Sequence, residues 1–445
     1  MLKRNEGIRT TVSNFGSSGE GVCLIDGFPV FVQGALPGEE ISATVTEARS
    51  NFAVARLGQI HRPSPQRTSP LCPYYGRCGG CSMMHMEYGL SLSAKEEMVS
   101  SALWHVGRVP RGSYIMEDII PSPQIYGYRN KAVYRVNPET KKLCYHEARS
   151  RRVADIGGCM LQSNLSNAAK AAVESWLASS NNISASSISS VMIRTTRSGD
   201  LMVAIITAEK VIHHADKLIS AIINEVSGLG NLASLVHCLP QNQDYPGALI
   251  NVLYGNATVL DRLCGLDFTL SPQAFFQVNP LQTENLYAKA IEYLEPKGKN
   301  IIDAYCGAGT ISLAAAKAGA LHISGIETVA PAVENARYNA AINGISNCAF
   351  ICETVESALP KLLSRRAYDA LIIDPPRKGC SPSALDAIAA SNIPTVVYVS
   401  CNPATLARDI RRLASAGYRP ISLAPADMFP HTPHVETVVL MSRNI

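Results

Sequence analysis

The spacing of apolar and polar positions changes along this chain. Near the start, Gly21-Val22-Cys23-Leu24-Ile25 and Pro29-Val30-Phe31-Val32 flank the turn Asp26-Gly27, and Glu40-Ile41-Ser42-Ala43-Thr44-Val45 alternates with period two. Alternation of this kind predicts half-buried strands. Residues 1 to about 62 therefore read as short strands between Gly-rich turns, the pattern of a small OB-like barrel. Four prolines between residues 63 and 73 predict a linker. Residues 93–106 predict a helix with Ser93 as N-cap and Glu96 three residues on. Residues 125 to about 265 mix both kinds of element, with strands over 134–136, 191–194 and 201–206 and a helix over 163–177.

From about residue 281 the pattern becomes a regular alternation. Helices are predicted over 283–294, 310–318, 330–343, 383–391 and 405–416. Strands are predicted over 300–304, 322–326, 370–373, 395–399 and 437–441. Strands alternating with helices argue for an α/β unit with a parallel, doubly wound sheet. Such sheets bind ligands outside the carboxyl ends of their strands, so the residues at those ends are the ones to read for chemistry.

Length and composition narrow the classes. A chain of 445 residues exceeds one ordinary core, so two or three domains are expected. With 47% hydrophobic and 17% charged residues it is globular in character. Its net charge of +4 admits nucleic acid without requiring it. The basic run Arg149-Ser150-Arg151-Arg152 reads as a solvated loop. Residues 1–12 lack the apolar core of a signal peptide, and no run reaches the roughly 18 apolar residues of a membrane helix. A cytoplasmic protein with no membrane partner is expected. Its 13 cysteines would then be mostly reduced, and clustered ones point to metal or catalysis.

Four strand ends carry candidate chemistry. The turn Asp303-Ala304-Tyr305-Cys306-Gly307-Ala308-Gly309-Thr310 joins the first strand and first helix of the alternating region. Gly307 and Gly309 permit a tight turn and close ligand approach. A third glycine of the dinucleotide fingerprint is missing, which disfavours NAD. Glu327 stands about twenty residues on, where a carboxylate can accept both ribose hydroxyls. With Asn335 to Asn339 on the following helix, the turn resembles that of an S-adenosylmethionine-dependent methyltransferase domain. Asp374-Pro375-Pro376-Arg377-Lys378-Gly379 follows another strand, with two prolines fixing the chain beside the acid. Val399-Ser400-Cys401-Asn402-Pro403 ends the next, and Asn-Pro forces a turn directly after the thiol.

A thiol placed there can act as a nucleophile. An aromatic pyrimidine carbon is a poor methyl acceptor, but thiolate addition at C6 of uracil makes C5 enolate-like, and a base must later remove the C5 proton. Glu436, directly before the last predicted strand, is the candidate base. His431 and His434 compete for that role.

Taken together, Ser400-Cys401-Asn402-Pro403, Asp374–Gly379, Asp303–Gly309 and His434-Val435-Glu436 resemble the class I RNA (uracil-5-)-methyltransferase family, which makes 5-methyluridine in ribosomal and transfer RNA. Ser271-Pro272-Gln273-Ala274-Phe275-Phe276-Gln277-Val278-Asn279 resembles a further motif of that family, and the match spans nearly the whole chain. The resemblance implies a C-terminal Rossmann-like methyltransferase domain, an N-terminal RNA-binding barrel of the TRAM type and a central α+β domain. The corresponding segments are 271–445, 1–62 and 63–270, with helix 93–106 expected to pack on the catalytic domain. It implies Cys401 as nucleophile and Glu436 as base. Gln277, Tyr305, Thr310, Glu327, Thr354 and Asp374 would line the S-adenosylmethionine site. Around Thr354 the chain reads Cys352-Glu353-Thr354-Val355-Glu356, where relatives carry Gly and Ala beside the Glu. Phe275 would stack on a uracil flipped from its strand. Ordinary core packing is expected of at least one of Phe275 and Phe276.

Cys72, Cys78 and Cys81 supply three thiolates within ten residues, with Gly76, Gly79 and Gly80 between or beside them. A tetrahedral site or a cubane needs a fourth ligand; Cys159 is the choice and Cys144 the alternative. A subset of the resembled family carries a [4Fe–4S] cluster with this spacing and a remote fourth cysteine, so that cluster is expected, with zinc as the alternative. The methyl-transfer chemistry needs no redox step, so the cluster is expected to organise loops and an RNA surface.

Two other functions compete. A cytosine C5 methyltransferase also uses a cysteine but typically places it after Pro, whereas Cys401 follows Ser400. A non-catalytic iron–sulfur RNA-binding assembly factor would not need Cys401, Glu436 and Glu327 together. In the resembled family, such a cluster together with an N-terminal barrel implies 23S ribosomal RNA as partner, with transfer RNA as the alternative; no obligate protein partner is evident.

Overall fold

The computed structural model describes residues 2–148, 150–179, 187–241 and 246–443; Arg149 of the basic run lies outside them. The chain forms two compact units. One holds residues 1–76, 81–122 and 375–445, the other residues 77–80 and 123–374. The division falls inside segment 271–445.

In the first unit, five strands close into a barrel in the order Gly7–Phe15, Gly21–Ile25, Phe28–Gln33, Ala53–Arg62, Glu40–Ala48. Period-two alternation points Cys23, Val30, Val32, Ile41, Ala43 and Val45 into a buried core. Asp26 and Gly27 both take positive φ in the hairpin turn between the second and third strands, as a two-residue loop that matches strand twist requires. The proline-rich stretch is no free linker. The Arg67 guanidinium grips the Glu39 carboxylate with both of its arms, at 2.5 and 2.8 Å, and Ser64 N–H donates to the same carboxylate at 3.1 Å. The segment is therefore strapped to the barrel.

The predicted helix 93–106 runs instead over Tyr88–Ala102 and continues as one wide turn, Leu103–Gly107. Ser93 is not its cap: it lies inside the helix and its hydroxyl donates to Gly89 O. No side chain caps the true start. Packing holds this end, since Met98 and Ala94 cluster with Met83, Met86 and Leu36. The other end packs on the helix Pro403–Ala414. There a side chain on Gly107 would come within 3.2 Å of Ala407 O.

The C-terminal part of this unit contributes strands in the order Thr395–Ser400, Glu436–Ser442, Arg419–Ala426, Ile115–Met116. The sequence pattern predicted parallel strands throughout. Here, however, Glu436–Ser442 runs antiparallel to both of its neighbours. The strand Arg419–Ala426, missed in the sequence because two prolines and a serine interrupt its apolar run, is followed by a loop of nine residues. That loop is too short to hold a crossover helix, so the chain returns as an antiparallel strand.

In the second unit, a mixed seven-stranded sheet over residues 131–255 is backed by the helices Asn164–Ser179 and Ala215–Glu225. A hairpin, Val259–Leu263 with Leu266–Leu270, leads into four parallel strands ordered Cys348–Cys352, His322–Glu327, Asn300–Ala304, Ala370–Ile373. The last three are buried on both faces along nearly their whole length, as parallel strands between helix layers are. Among the described residues no helix is long and apolar enough to cross a membrane.

Candidate active site

The four parallel strands of the second unit end in the residues the sequence singled out. The first runs directly into Tyr305, and Glu327 ends the second. Cys352 and, two residues later, Thr354 follow the third, and Asp374 follows the fourth. The turn after the first strand is strained. Tyr305 sits at φ 72°, Gly307 at 53° and Gly309 at 83°. Positive φ in a bulky aromatic residue is an outlier of the kind that clusters at ligand sites. Gly309 also needs its missing side chain, because a Cβ there would meet Phe350 and Ala336 at 3.2 Å.

Neighbouring groups fix the turn. Glu327 accepts from Gly307 N–H at 3.2 Å through one oxygen and from Thr328 and Val329 N–H at 2.7 and 2.9 Å through the other. Asn339, fully buried, donates to Ala308 O at 3.2 Å and accepts from Thr269 N–H at 3.0 Å. The Asn on the following helix thus supports the turn from behind. Thr310 opens the next helix, and its hydroxyl meets Tyr287 OH at 2.9 Å. Thr354 is exposed and forms the N-cap position of the helix Val355–Leu363 without a side-chain cap.

Two carboxyls behind this turn hold protons unusually well. Burial and the neighbouring Asp303 push Asp374 up to about 7. Burial pushes Asp303 up to about 6, against the hydrogen bond from Ser312 at 2.5 Å. One oxygen of Asp303 is buried with no hydrogen-bond partner. Strand-end carboxyls beside a glycine turn and a helix N-terminus suit a ligand carrying ribose hydroxyls and positive charge. The donor set therefore fits S-adenosylmethionine.

The loop 271–279 is pinned through its backbone. Arg194, fully buried, donates to Ala274 O at 2.7 Å. Asn130 donates from its side chain to Gln277 O at 3.0 Å and from its N–H to Val278 O at 2.9 Å. Between these clamps the two phenylalanines separate. Phe276 is buried against Phe268, whereas Phe275 is 74% exposed. Core packing thus accounts for Phe276 and leaves Phe275 free to stack. Arg194 and Asn130 escaped sequence reading, because nothing local to them signals a contact made 80 to 147 residues away.

In the first unit, Cys401 and Glu436 come together through strand register. Ser400 and Thr437 are direct partners across the antiparallel pair. Cys401 immediately follows the one, and Glu436 immediately precedes the other. Both therefore lie at the same end of adjacent strands, which a parallel pair would not allow. Glu436 is buried and Cys401 is part-exposed. Asn402 caps the helix Pro403–Ala414 by accepting from Ala404 N–H at 3.1 Å, and Pro403 takes its first position. The thiol is thus held on a short, fixed turn between strand and helix. Before Glu436, the loop is anchored by a buried ion pair of Lys95 with Asp427, and Lys95 also donates to Phe429 O at 3.1 Å. His431 sits at φ 66° and its carbonyl accepts from Ser82 and Met83 N–H at 3.0 and 3.1 Å. His434 meets the Phe429 ring edge-on, with centroids 6.0 Å apart.

The cysteine cluster falls on both units, Cys72 and Cys81 in the first and Cys78 and Cys159 in the second. All four are part-exposed and outside any disulfide. Cys78 bridges to Glu147. At Gly79 a side chain would lie 3.1 Å from His146 O and Ala148 Cα, a tight contact with backbone. Cys159 is clamped by Asn167, which accepts from its N–H at 2.9 Å and donates to its carbonyl at 3.0 Å. Burial raises the Cys159 thiol, with Arg129 opposing and Cys78 adding to the rise. Cys144, the alternative ligand, is fully buried in a strand and pushed up to about 11 by burial. Among the described residues no three His, Cys, Asp or Glu side chains gather closely enough to hold a metal ion.

Comparison with known proteins gives two family matches: tRNA (uracil-5-)-methyltransferase over residues 252–444 and the TRAM domain over residues 2–57. An uncharacterized RNA methyltransferase of Clostridium acetobutylicum is 35% identical over 453 residues, covering 99% of this chain and 98% of that protein. One of Caldanaerobacter subterraneus subsp. tengcongensis is 36% identical over 456 residues, covering 99% of each. Among solved structures, the Pyrococcus abyssi tRNA (uracil-54, C5)-methyltransferase, in complex with S-adenosyl-L-homocysteine, superposes with a TM-score of 0.77 at 24% identity. It covers 98% of this chain and 100% of that one.

Proposed function

Because the chain belongs to the RNA (uracil-5-)-methyltransferase family, we propose that it methylates C5 of uridine in 23S ribosomal RNA through a covalent Cys401 adduct. It is an S-adenosylmethionine-dependent RNA methyltransferase with a TRAM barrel. The observation that carries the mechanism is the register of Ser400 with Thr437, which brings Cys401 and Glu436 to one end of adjacent antiparallel strands.

The residues act in sequence. Phe275 stacks on the flipped uracil. The Cys401 thiolate adds to C6, forming the Sγ–C6 bond and moving electrons of the C5=C6 bond toward O4 as an enolate. S-adenosylmethionine, when bound, would supply an electrophilic methyl group to C5, its sulfur–methyl bond breaking so that it leaves as the neutral thioether. Tyr305, Thr310, Glu327, Thr354, Asp374 and Gln277 hold and orient the donor. Glu436 then takes the C5 proton, C5=C6 reforms, and the Sγ–C6 bond breaks to release the Cys401 thiolate. A buried carboxylate suits this base, because it is shielded from water and held by its strand.

Glu436→Gln tests the assignment. Without a base the adduct cannot collapse, so Glu436→Gln protein should accumulate a methylated, Cys401-linked complex with ordinary uridine RNA. Free 5-methyluridine product at near wild-type rate would overturn the role and return His431 and His434 as candidates. Run with 23S and transfer RNA transcripts in parallel, the same assay decides the substrate. The descriptions of the matched family and of the Pyrococcus abyssi structure favour transfer RNA as the second reading.

We further propose that Cys72, Cys78, Cys81 and Cys159 hold a [4Fe–4S] cluster. The support is the donor set: four part-exposed thiols, three of them within ten residues of sequence. Protein purified without oxygen should carry iron and acid-labile sulfide in equal amounts. Zinc in their place would contradict the cluster.

A further inference from the structure

Beside the proposed nucleophile lies a strapped loop whose two cations have no structural employment. Residues 376–380 are fastened to the helix Pro403–Ala414 and to its cap. Arg377 O accepts from Asn402 Nδ2 at 3.0 Å and from Thr405 Oγ1 at 3.2 Å. Lys378 O accepts from Arg408 Nη2 at 2.9 Å. Cys380 N–H donates to Asp409 at 2.8 Å. Asp409 is fully buried and also accepts from Tyr398 OH at 2.7 Å and from Arg408 Nε at 2.8 Å. Gly379 sits at φ 74°, and a Cβ there would come within 2.6 Å of both Arg408 Nη2 and Asp409 Oδ2. The loop is therefore fixed in one shape.

Every one of these fastenings of Arg377 and Lys378 runs through a backbone carbonyl. Both residues are exposed, and among the described residues neither side chain enters an ion pair or hydrogen bond. The buried Asp409 charge is matched by Arg408 at 2.7 Å, so nothing in the network offsets the two outward cations. Asn402, which holds Arg377, is covalently next to Cys401. The N-terminus of a twelve-residue helix adds its positive end at the same place.

We propose that Arg377 and Lys378 form a phosphate-binding subsite for the RNA backbone at the nucleotide whose base Cys401 attacks. This rests on the reading of Cys401 as the uridine nucleophile. A base leaving its stack swings about its own backbone, so the flanking phosphates must be held for C6 to stay in reach of a fixed thiol. Arg377 suits a two-pronged grip on phosphate oxygens and Lys378 a point charge. Their prefixed loop spares the ordering cost that two mobile cations would carry.

The test is the salt dependence of binding to a fluorescein-labelled single-stranded oligouridylate. Each lost phosphate contact should flatten log K against log [salt] by about 0.7 for a single strand. The double variant Arg377→Gln/Lys378→Gln should therefore flatten it by about 1.4, while Arg411→Gln, an exposed arginine further along the same helix, should leave the slope unchanged. An unaltered slope in the double variant, or equal flattening by Arg411→Gln, would overturn the subsite. The Cys401 reading is judged separately, by covalent capture of 5-fluorouridine RNA at saturating RNA. Wild-type protein that captures none loses the nucleophile whatever the slopes are, and a double variant that still captures shows that only the phosphate grip was removed.

Discussion

At the scale of single residues, the acids report on the ligand. Asp374 sits near 7 because burial and Asp303 disfavour its charge. A positively charged methyl donor bound beside Asp374, as proposed, would reverse that balance. Below about pH 7 the donor must displace a proton from Asp374; above it the carboxylate is already charged. Affinity for S-adenosylmethionine should therefore rise from pH 6 toward 8, by up to about tenfold per unit below 7, with proton release seen in titration calorimetry at pH 6. Asp374→Asn should remove both the rise and the release, and a flat wild-type profile would refute the assignment. The free protein shows the opposite trend. The folded pKa lies above the usual carboxylate value of about 3.9, so this group's effect is to lower stability as pH climbs from about 4 through 7. Residues defined by local chemistry were legible in the sequence: the thiol before Asn-Pro, the glycine turn, the acids at strand ends. Arg194, Asn130 and Asp409 were not, because their partners are distant or their roles lie in the backbone they hold. The positive φ of Tyr305 has no sequence signal either, since nothing distinguishes it from any aromatic after a strand.

At the scale of elements, one departure from the predicted pattern matters most. The alternating β/α rhythm predicted parallel strands, and it holds for the four strands that lead to Tyr305, Glu327, Thr354 and Asp374. It fails at Glu436–Ser442, where a strand missed in the sequence turns the chain back. That reversal is what joins Glu436 to Cys401. The Ser93 cap failed for a related reason: tertiary packing around Met98 and Met83 starts the helix five residues before any capping signal. The same helix carries Lys95, whose pairing with Asp427 is sealed from solvent at both ends. Removing one member leaves the other charge buried, at a cost of about 3–5 kcal/mol. Lys95→Met should therefore destabilise the protein by that order in denaturant titrations, with Lys95→Met/Asp427→Leu recovering most of the loss. A single variant within about 1 kcal/mol of wild type would show the pair to be dispensable.

At the scale of the whole molecule, neither size nor charge announced the function. A net charge of +4 is modest for an RNA enzyme, and the proposed recognition rests instead on local features, the strapped cations beside Cys401. The barrel was legible because period-two alternation and a turn with two positive-φ residues are short-range signals. The candidate residues from 72 to 436 were legible only as a set of motifs. The central claim is that Cys401 attacks uracil C6, and 5-fluorouridine tests it most directly, because fluorine replaces the proton that the base must remove. Wild-type protein with S-adenosylmethionine and 5-fluorouridine-substituted substrate RNA should form a complex that survives denaturing electrophoresis, and Cys401→Ala should form none. Methyl transfer to uridine by Cys401→Ala, or a wild-type enzyme that methylates yet never forms the complex, would contradict the account.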